Sequence, residues 1–476
     1  MLAVDKSTDE YLYLQVADLI SGQVNNGTLR AGDRLPSLRG LSSKLQVSIP
    51  TVRQAYLELE KQGRIEARPK SGYFVQAQRL NRLVSVKCHN CKPMEVHCQK
   101  LIDRVYDHIH KPGVLPLGIA NPSMAKPATK TLHRAMKRIM ARAEERSLSY
   151  APIYGEPGLS RQIAYRYLNQ GGSIDPKEVL ITNGGQEALS LALLAVAKPG
   201  DVIAVESPAY YGMLELIESL GMLALEIETC PIEGVSLAAL ETALETHEIT
   251  ACLFSSCLNN PLGCLSSDQH RESLVKLLEE HNIPLIEDDV YGDLVYEGER
   301  PKPAQFYSRK GLVLTCGSFS KTVAPGYRIG WLLPGKFLAR VQKLKRAMSC
   351  SSGLLQQLTL SEFIAMGDYD RHLKRLRPIL KQNSERMISC IEESFPPDTG
   401  VSRPRGGSVV WLELPGGMNS ERLFNAAIGE NISIVPGGIF SAGQRYRNFI
   451  RLSYGHPWNE SIEHGVATLG RLVHEL

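Results

Sequence analysis

Long apolar runs are missing from this sequence. No uncharged apolar stretch approaches the roughly 20 residues that a bilayer-spanning helix needs, which excludes a transmembrane helix. The amino-terminal stretch MLAVDKSTDEYLYLQ is acidic and polar and holds no apolar signal core. The chain is therefore expected to be soluble and cytoplasmic, with no membrane partner. Cysteine is scattered: ten residues in 476 form no dense framework, which excludes a disulfide scaffold and suits reduced thiols in a cytosol. A large charge of one sign is missing too, and the net charge of +4 does not by itself imply a nucleic-acid partner. No internal repeat is visible.

The composition that remains, 43% hydrophobic and 22% charged, is that of a globular protein. A length of 476 residues suits two or three domains. Charge is unevenly placed: nine Lys/Arg face four Asp/Glu between Arg30 and Lys70.

Residues 11–25 put Leu12, Val16, Leu19 and Ile20 on one helical face, with Gly27 as the stop. LRAGDRLPS reads as a turn ending at Pro36-Ser37, and a short helix through Leu38, Leu41 and Leu45 follows. Ser48 caps a third helix that turns Val52, Tyr56, Leu57 and Leu59 to the core and ends at Gly63. RIEARPKSGYFV alternates apolar and polar residues around a Ser-Gly turn, a β-hairpin wing. Residues 78–94 have no strong period and read as a linker. A helix through Val96, Leu101, Val105 and Ile109 comes next, stopped by Pro112-Gly113. Cys88, Cys91, His97 and Cys98 hint at zinc, but the adjacency of His97 and Cys98 strains a tetrahedral site. Free thiols and no metal are expected.

From about residue 114 the apolar runs VLIT (179–182), VIAVE (202–206), ACLFS (251–255), PLIED (284–288) and LVLTCGS (312–318) alternate with helical stretches. That pattern predicts an α/β domain with a largely parallel sheet. After about residue 335 helices dominate until VVWLEL (409–414) and NFIRLSY (448–454), a smaller α+β subdomain. The basic stretch 371–386 reads as a solvated helix face whose Leu373, Leu376 and Leu380 pack on the sheet. The expected domains are a winged helix-turn-helix over 1–77, a linker with a helix over 78–113, and the α/β domain over 114–476.

A DNA reader needs short polar or cationic side chains at base edges and neighbours that hold phosphates. Ser48, Thr51, Arg53 and Gln54 lie on the first turns of the third helix, and Arg39 starts the helix before it. Arg68, Lys70, Ser71 and Gly72 form the wing tip.

Further on, a different chemistry is laid out. Pyridoxal phosphate requires an amine for the Schiff base, an acid facing the pyridinium nitrogen, donors to the phenolate and a phosphate cradle. Lys321 follows the run LVLTCGSF beside Ser318 and Ser320, and Arg328 seven residues on can pair with a phosphate. Asp288 ends the strand PLIED, where α/β ligands bind, with Tyr291 three residues later. Asn260 sits in the turn NNPLG after ACLFS. Gly184-Gly185-Gln186 open an apolar helix, the place for a phosphate. Tyr210 follows VIAVE and can stack on the pyridine, and Arg451 in NFIRLSY is a candidate clamp for a substrate carboxylate.

The stretch GDRLPSLRGLSSKLQVSIPTVRQAYLELEKQGRIEARPKSGYFV resembles the GntR-type winged helix, which implies DNA contacts at Arg39, Thr51, Arg53 and Gly72. One departure is Ile49-Pro50, where such readers commonly carry polar or basic residues. NNPLG, EDDVYGDL and SFSKTVAPGYRIGW together resemble fold-type-I aminotransferases over about residues 114–476. That resemblance implies Lys321 as the Schiff-base lysine, Asp288 as the pyridinium partner, and Asn260 and Tyr291 as phenolate donors. It implies Gly185, Gln186, Ser318 and Arg328 as phosphate ligands, Tyr210 as the stacking ring and Arg451 as the carboxylate clamp. It also implies that Tyr150, in SYAPIYGEPGL, reaches the phosphate of a neighbouring subunit in a homodimer. A reader fused to such a domain is the MocR architecture. The expectation is a pyridoxal-phosphate-dependent regulator that binds operator DNA and answers to the cofactor or its adduct with an amino compound. The alternative is an aminotransferase that carries a reader.

Overall fold

The computed structural model describes residues 11–25, 28–29, 33–61, 65–68, 71–75, 83–84, 91–97, 99–109, 111–122 and 126–476. The chain divides into two units, Met1–Leu80 and Asn81–Leu476.

The first unit runs α1 (Leu12–Asn25), α2 (Leu38–Leu45), α3 (Ile49–Lys61), β1 (Ile65–Arg68) and β2 (Gly72–Val75). Val16, Ile20, Leu41, Leu45, Val52, Tyr56 and Leu59 form its core. The local signals act as expected. Ser37 caps α2 by accepting from the Gly40 N–H at 3.1 Å, and Ser48 accepts from the Thr51 N–H at 3.2 Å at the start of α3. The buried Tyr56 hydroxyl donates to the Pro36 carbonyl at 2.7 Å, tying α3 to the turn before α2. Leu57 departs from expectation and is 42% exposed. It follows Tyr56 directly, about 100° around the helix, so the inward face passes from Tyr56 to Leu59 instead. The segment read as a bare turn also pairs with the wing: Leu35 N donates to Tyr73 O and Val75 N to Asp33 O, each at 2.8 Å. The stops expected at Gly27 and Gly63 lie outside the described residues.

In the second unit, the segment read as a free linker is seated on the domain where it is described. Val84 and Val96 are buried, and Met94 exchanges two backbone hydrogen bonds with Ala224. The expected helix spans Gln99–Ile109 (α4), so Val96 precedes it in extended chain. Cys91 is disulfide-bonded and accepts from Arg445 Nη1 at 3.0 Å. This corrects the free-thiol expectation, which rested on compartment chemistry and could not see which sulfurs the fold brings together.

The large sheet contains β3 (Leu180–Thr182), β4 (Val202–Ser207), β5 (Leu223–Cys230), β6 (Gly234–Val235), β7 (Ile249–Phe254), β8 (Leu285–Asp288), β9 (Val313–Ser318) and β10 (Gly330–Leu333). Its order is β3-β10-β9-β8-β7-β4-β5-β6. Strands β5, β4, β7, β8 and β9 run parallel, and β10 is antiparallel to both β9 and β3. The interior strands are apolar on both faces because helices cover both, as parallel sheets require. A smaller antiparallel sheet holds β11 (Gly400–Val401), β12 (Val409–Glu413), β13 (Val435–Pro436) and β14 (Phe449–Ser453) in the order β11-β12-β14-β13. The basic stretch lies in the long helix Asp368–Ser394, where Leu373, Leu376 and Leu380 are buried. That helix packs chiefly on the carboxy-terminal helix Glu460–Glu475 rather than on the sheet. Among the described residues no helix is long and apolar enough to cross a membrane.

Candidate functional site

The topology assembles one edge of the large sheet. Strands β3, β4, β7, β8 and β9 all leave the sheet there, and β10 enters from it. Gly330, at the start of β10, pairs with both Ser318 and Thr182. That register sets three loops side by side: Gly184-Gly185 after β3, Arg328 before β10, and Ser318 at the end of β9. Gly330 must be glycine, because a Cβ there would lie 2.6 Å from the Gly184 carbonyl carbon.

Around this alignment the polar groups converge. Ser318 Oγ lies 3.0 Å from Ser320 Oγ and accepts from the Ser320 N–H at 3.1 Å. Arg328 Nη2 donates to Asn183 O at 3.1 Å, and Nη1 lies 3.5 Å from Ser320 Oγ. Arg328 adopts φ 52° and Gly184 φ 81°; a Cβ on Gly184 would sit 2.4 Å from Arg328 Nη2. Helix Gly185–Val196 starts at this point, so its first N–H groups face the same space. Gln186 Nε2 donates to Gly212 O at 3.1 Å, which links this helix to the loop carrying Tyr210. Gly212 has no Cβ, and one there would strike the Tyr210 ring at 2.7 Å.

Lys321 Nζ donates to Asn121 Oδ1 at 2.7 Å and to Ala120 O at 3.1 Å, and lies 5.7 Å from the Tyr291 ring centroid. Burial pulls its pKa down to about 8, Arg451 and Arg328 adding to the effect and Asp288 opposing it. Asp288 is buried at the end of β8 and accepts from the Val290 N–H at 3.2 Å. Burial raises its pKa to about 6, against the pull of that N–H and of Lys321. Its neighbours in the Glu287-Asp288-Asp289 run point the other way, as alternation along a strand dictates. Glu287 meets Arg271 at 3.4 Å, and Asp289 meets Arg300, which also holds Asp293. Asp293 in turn accepts from Arg166 at 3.1 Å and from the Tyr369 hydroxyl at 2.7 Å. Asp288 has no arginine among its described partners.

Asn260 and Tyr291 are both buried, and Tyr291 Oη reaches Ala120 O at 3.5 Å. Arg451 projects from β14 and is 1% exposed. It donates to the Gly118 carbonyl and lies 3.4 Å from Asn260 Oδ1, while its buried Nε has no partner. The structure thus brings together Lys321, Asp288, Tyr291, Asn260, Tyr210, Gly185, Gln186, Ser318, Arg328 and Arg451. Tyr150 stands apart and is 88% exposed. Sequence reasoning missed Asn121 and Ala120; the Asn-Pro turn in GIANPS was the available signal. It also missed the arginines behind β8, although three successive carboxylates imply cations on the opposite face.

On the first unit, Arg39 lies in α2, and Ser48, Thr51, Arg53 and Gln54 lie at the start of α3; Arg39, Arg53 and Gln54 are exposed. Ser48 Oγ lies 2.8 Å from Thr51 Oγ1, so it also serves as the cap. Arg68 closes β1 and Gly72 opens β2 with φ 103°. Lys70 lies outside the described residues.

Two family descriptions match the chain: "Bacterial regulatory proteins, gntR family" over residues 12–75 and "Aminotransferase class I and II" over residues 112–469. The chain therefore belongs to the class I and II aminotransferase family and, with its gntR-family reader, is a transcription regulator of the MocR type. It is 36% identical to the uncharacterized HTH-type transcriptional regulator YdcR of Escherichia coli (strain K12), over 97% of this chain and 99% of that protein. It is 34% identical to YjiR of the same organism, described in the same words, over 97% and 98%. Among solved structures it is similar to LysN, the α-aminoadipate aminotransferase of Thermus thermophilus, complexed with N-(5'-phosphopyridoxyl)-L-leucine. That likeness has a TM-score of 0.71 and 28% identity, covering 80% of this chain and 99% of that one.

Proposed function

We propose that this regulator binds pyridoxal 5'-phosphate through Lys321 and that occupancy of the crevice by an amino compound changes its grip on operator DNA. The observation that carries the reading is a depressed lysine beside an arginine-free buried carboxylate, on a chain that also holds a reader. The donor set fits the cofactor. Gly184 leaves the space a Cβ would fill, Arg328 and Ser318 stand beside a helix N-terminus, and Asp288 lacks the cation that a pyridinium supplies. When bound, the cofactor supplies an aldehyde that captures amines and a ring that withdraws electrons. The chain's residues do the rest. Lys321 offers its amine, Asp288 holds a proton at the ring nitrogen, and Asn260 and Tyr291 donate to the phenolate. Gly185, Gln186, Ser318 and Arg328 hold the phosphate, Tyr210 covers the ring, and Arg451 orients a carboxylate. The reader docks through Arg39, Ser48, Thr51, Arg53, Gln54, Arg68, Lys70 and Gly72. Titrating operator DNA with and without pyridoxal phosphate, then with candidate amino compounds added, tests the reading. Identical affinities throughout would defeat it.

The intact Lys321 and Arg451 also support a second reading, catalytic transamination. We expect slow half-reactions, far below the ~10 per second of a typical enzyme. Rapid multiple turnover with an amino acid and a keto acid would favour the enzyme.

Two results should follow from the geometry. Gly184→Ala should push Arg328 off the phosphate position and weaken cofactor binding at least about tenfold, since a charge-assisted hydrogen bond is worth about 1.5–3 kcal/mol. Equilibrium dialysis checks this. Capture of the cofactor needs the neutral Lys321 amine, whose pKa is about 8. Below that value the neutral fraction falls about tenfold per pH unit, so the capture rate should rise with pH and level off above it. A flat profile would show that another step, or another amine, limits capture.

A homodimer completes the site. Leu148 and Tyr150 are 90% and 88% exposed in the single chain, an unusual setting for large apolar side chains that a partner subunit would cover. Tyr150→Asp with Leu148→Asp should yield monomers and loosen the cofactor, as light scattering and dialysis would report. Two readers per dimer make a bipartite operator the expected footprint.

A further inference from the structure

A cavity of about 430 Å³ lies in the larger unit away from the crevice, lined from three helices: Lys126–Ala143, Leu354–Ala365 and Asp368–Ser394. Lys130, Arg134, Arg371 and Arg375 line it, with Asp368 as the single carboxylate. Asp368 takes one Arg371 N–H at 2.5 Å, the Met366 carbonyl accepts from Arg371 at 2.9 Å, and Arg134 gives one to Thr131 at 3.2 Å. Lys130 and Arg375, both exposed, have no acceptor among the described residues. Helix Lys126–Ala143 carries no Asp or Glu. His372 also lines the cavity, is 3% exposed, and has an Nδ1 without a partner. Its Nε2 lies 2.7 Å from the Thr322 carbonyl, which can only accept. Nε2 therefore carries the proton, and Nδ1 keeps an unused lone pair behind the cavity wall.

We propose that this cavity binds a small phosphorylated metabolite by its phosphate group. Guanidinium forks and a lysine ammonium are the side chains that pair with phosphate oxygens. The volume sits within the roughly 300–1,000 Å³ of small-molecule sites. His372 closes the inner wall with its ring, and its Nδ1 is shut off from solvent, so the cations alone recognise the anion. A recess with a buried ring in its wall suits a compact ligand better than the outer face of a duplex. None of the cofactor-crevice residues lines this cavity, so the inference stands apart from the cofactor reading.

Calorimetric titration of the full-length holoprotein with inorganic phosphate and pyrophosphate tests the proposal, after dialysis to remove free pyridoxal phosphate, which would itself compete for the cavity. The expected result is one saturable phosphate or pyrophosphate site per chain. Lys130→Glu with Arg375→Glu, both exposed positions, should weaken it at least about tenfold. Lys198→Glu, an exposed change elsewhere, should leave it intact. No saturable binding, or equal affinity in the charge-reversed variant, would overturn the proposal. A short non-operator duplex that binds at these cations while free phosphate does not would also overturn it, and would assign the patch to DNA. Should the protein take up no pyridoxal phosphate at all, phosphate bound in the empty cradle would be lost with Arg328→Ala and kept with Arg375→Glu. Failure of the two readings is then told apart.

Discussion

Lys321→Ala should give a colourless protein that no longer holds pyridoxal phosphate covalently. The wild-type chain is expected to be yellow when loaded, because its amine stands in the crevice with a pKa pulled down to about 8. The variant loses the one amine that bonds to Asn121 and Ala120 beside Asp288. Its phosphate cradle and Asp288 remain, so weak non-covalent binding should persist and be washed out by dialysis. Folding should be little affected, since the amine bonds only to Asn121 and Ala120 among the described residues and its removal breaks no ion pair. Absorbance spectra before and after borohydride reduction check the result. An unchanged spectrum in the variant would move the covalent attachment to a different lysine.

Arg53→Ala should weaken specific operator binding by roughly 5–150-fold while leaving the cofactor spectrum unchanged. Arg53 is exposed on the second turn of α3, next to the inward-facing Val52, so its loss would remove the proposed base contact without opening the core. A bidentate arginine is typically worth about 1–3 kcal/mol of discrimination, a factor of roughly 5–150. The wild-type affinity should also fall steeply with salt, as phosphate neutralisation releases counterions, and the variant should keep a non-specific remnant of that slope. Gel-shift titrations at several salt concentrations would measure both. Operator affinity equal to wild type would remove α3 from the reading surface.

The crevice was legible because its residues, apart from the mid-strand Arg451, sit close to the ends of strands or helices. Asp288 closes PLIED, Asn260 follows ACLFS, and Lys321 follows LVLTCGSF, so apolar runs in the sequence mark the positions that polar groups at their ends must share. The gaps in that reading have equally particular causes. Asn121 lies 200 positions from Lys321, and no local pattern announces a partner at that separation. The strand GWLL was not separated from SFSKTVAPGYRIGW, yet it is the antiparallel entry of β10 that sets Arg328 beside Ser318. Leu57 was turned inward by its hydrophobicity alone, whereas the burial of Val52, Ala55, Tyr56 and Leu59 sets the phase of α3.

By itself, the sequence determined the two-part organisation, the strand positions, the caps at Ser37 and Ser48, and which side chains belong at the sheet edge. These follow from short-range physics: apolar periodicity, capping chemistry and the need of a strand to end. The tertiary structure alone decided which carboxylate of Glu287-Asp288-Asp289 is left without an arginine and how Arg451 comes to lie beside Asn260. It also decided that the stretch around Met94 is seated on β5 rather than hanging free. Each of these depends on contacts between residues far apart in the chain, whose partners are chosen by packing and burial rather than by their neighbours in sequence.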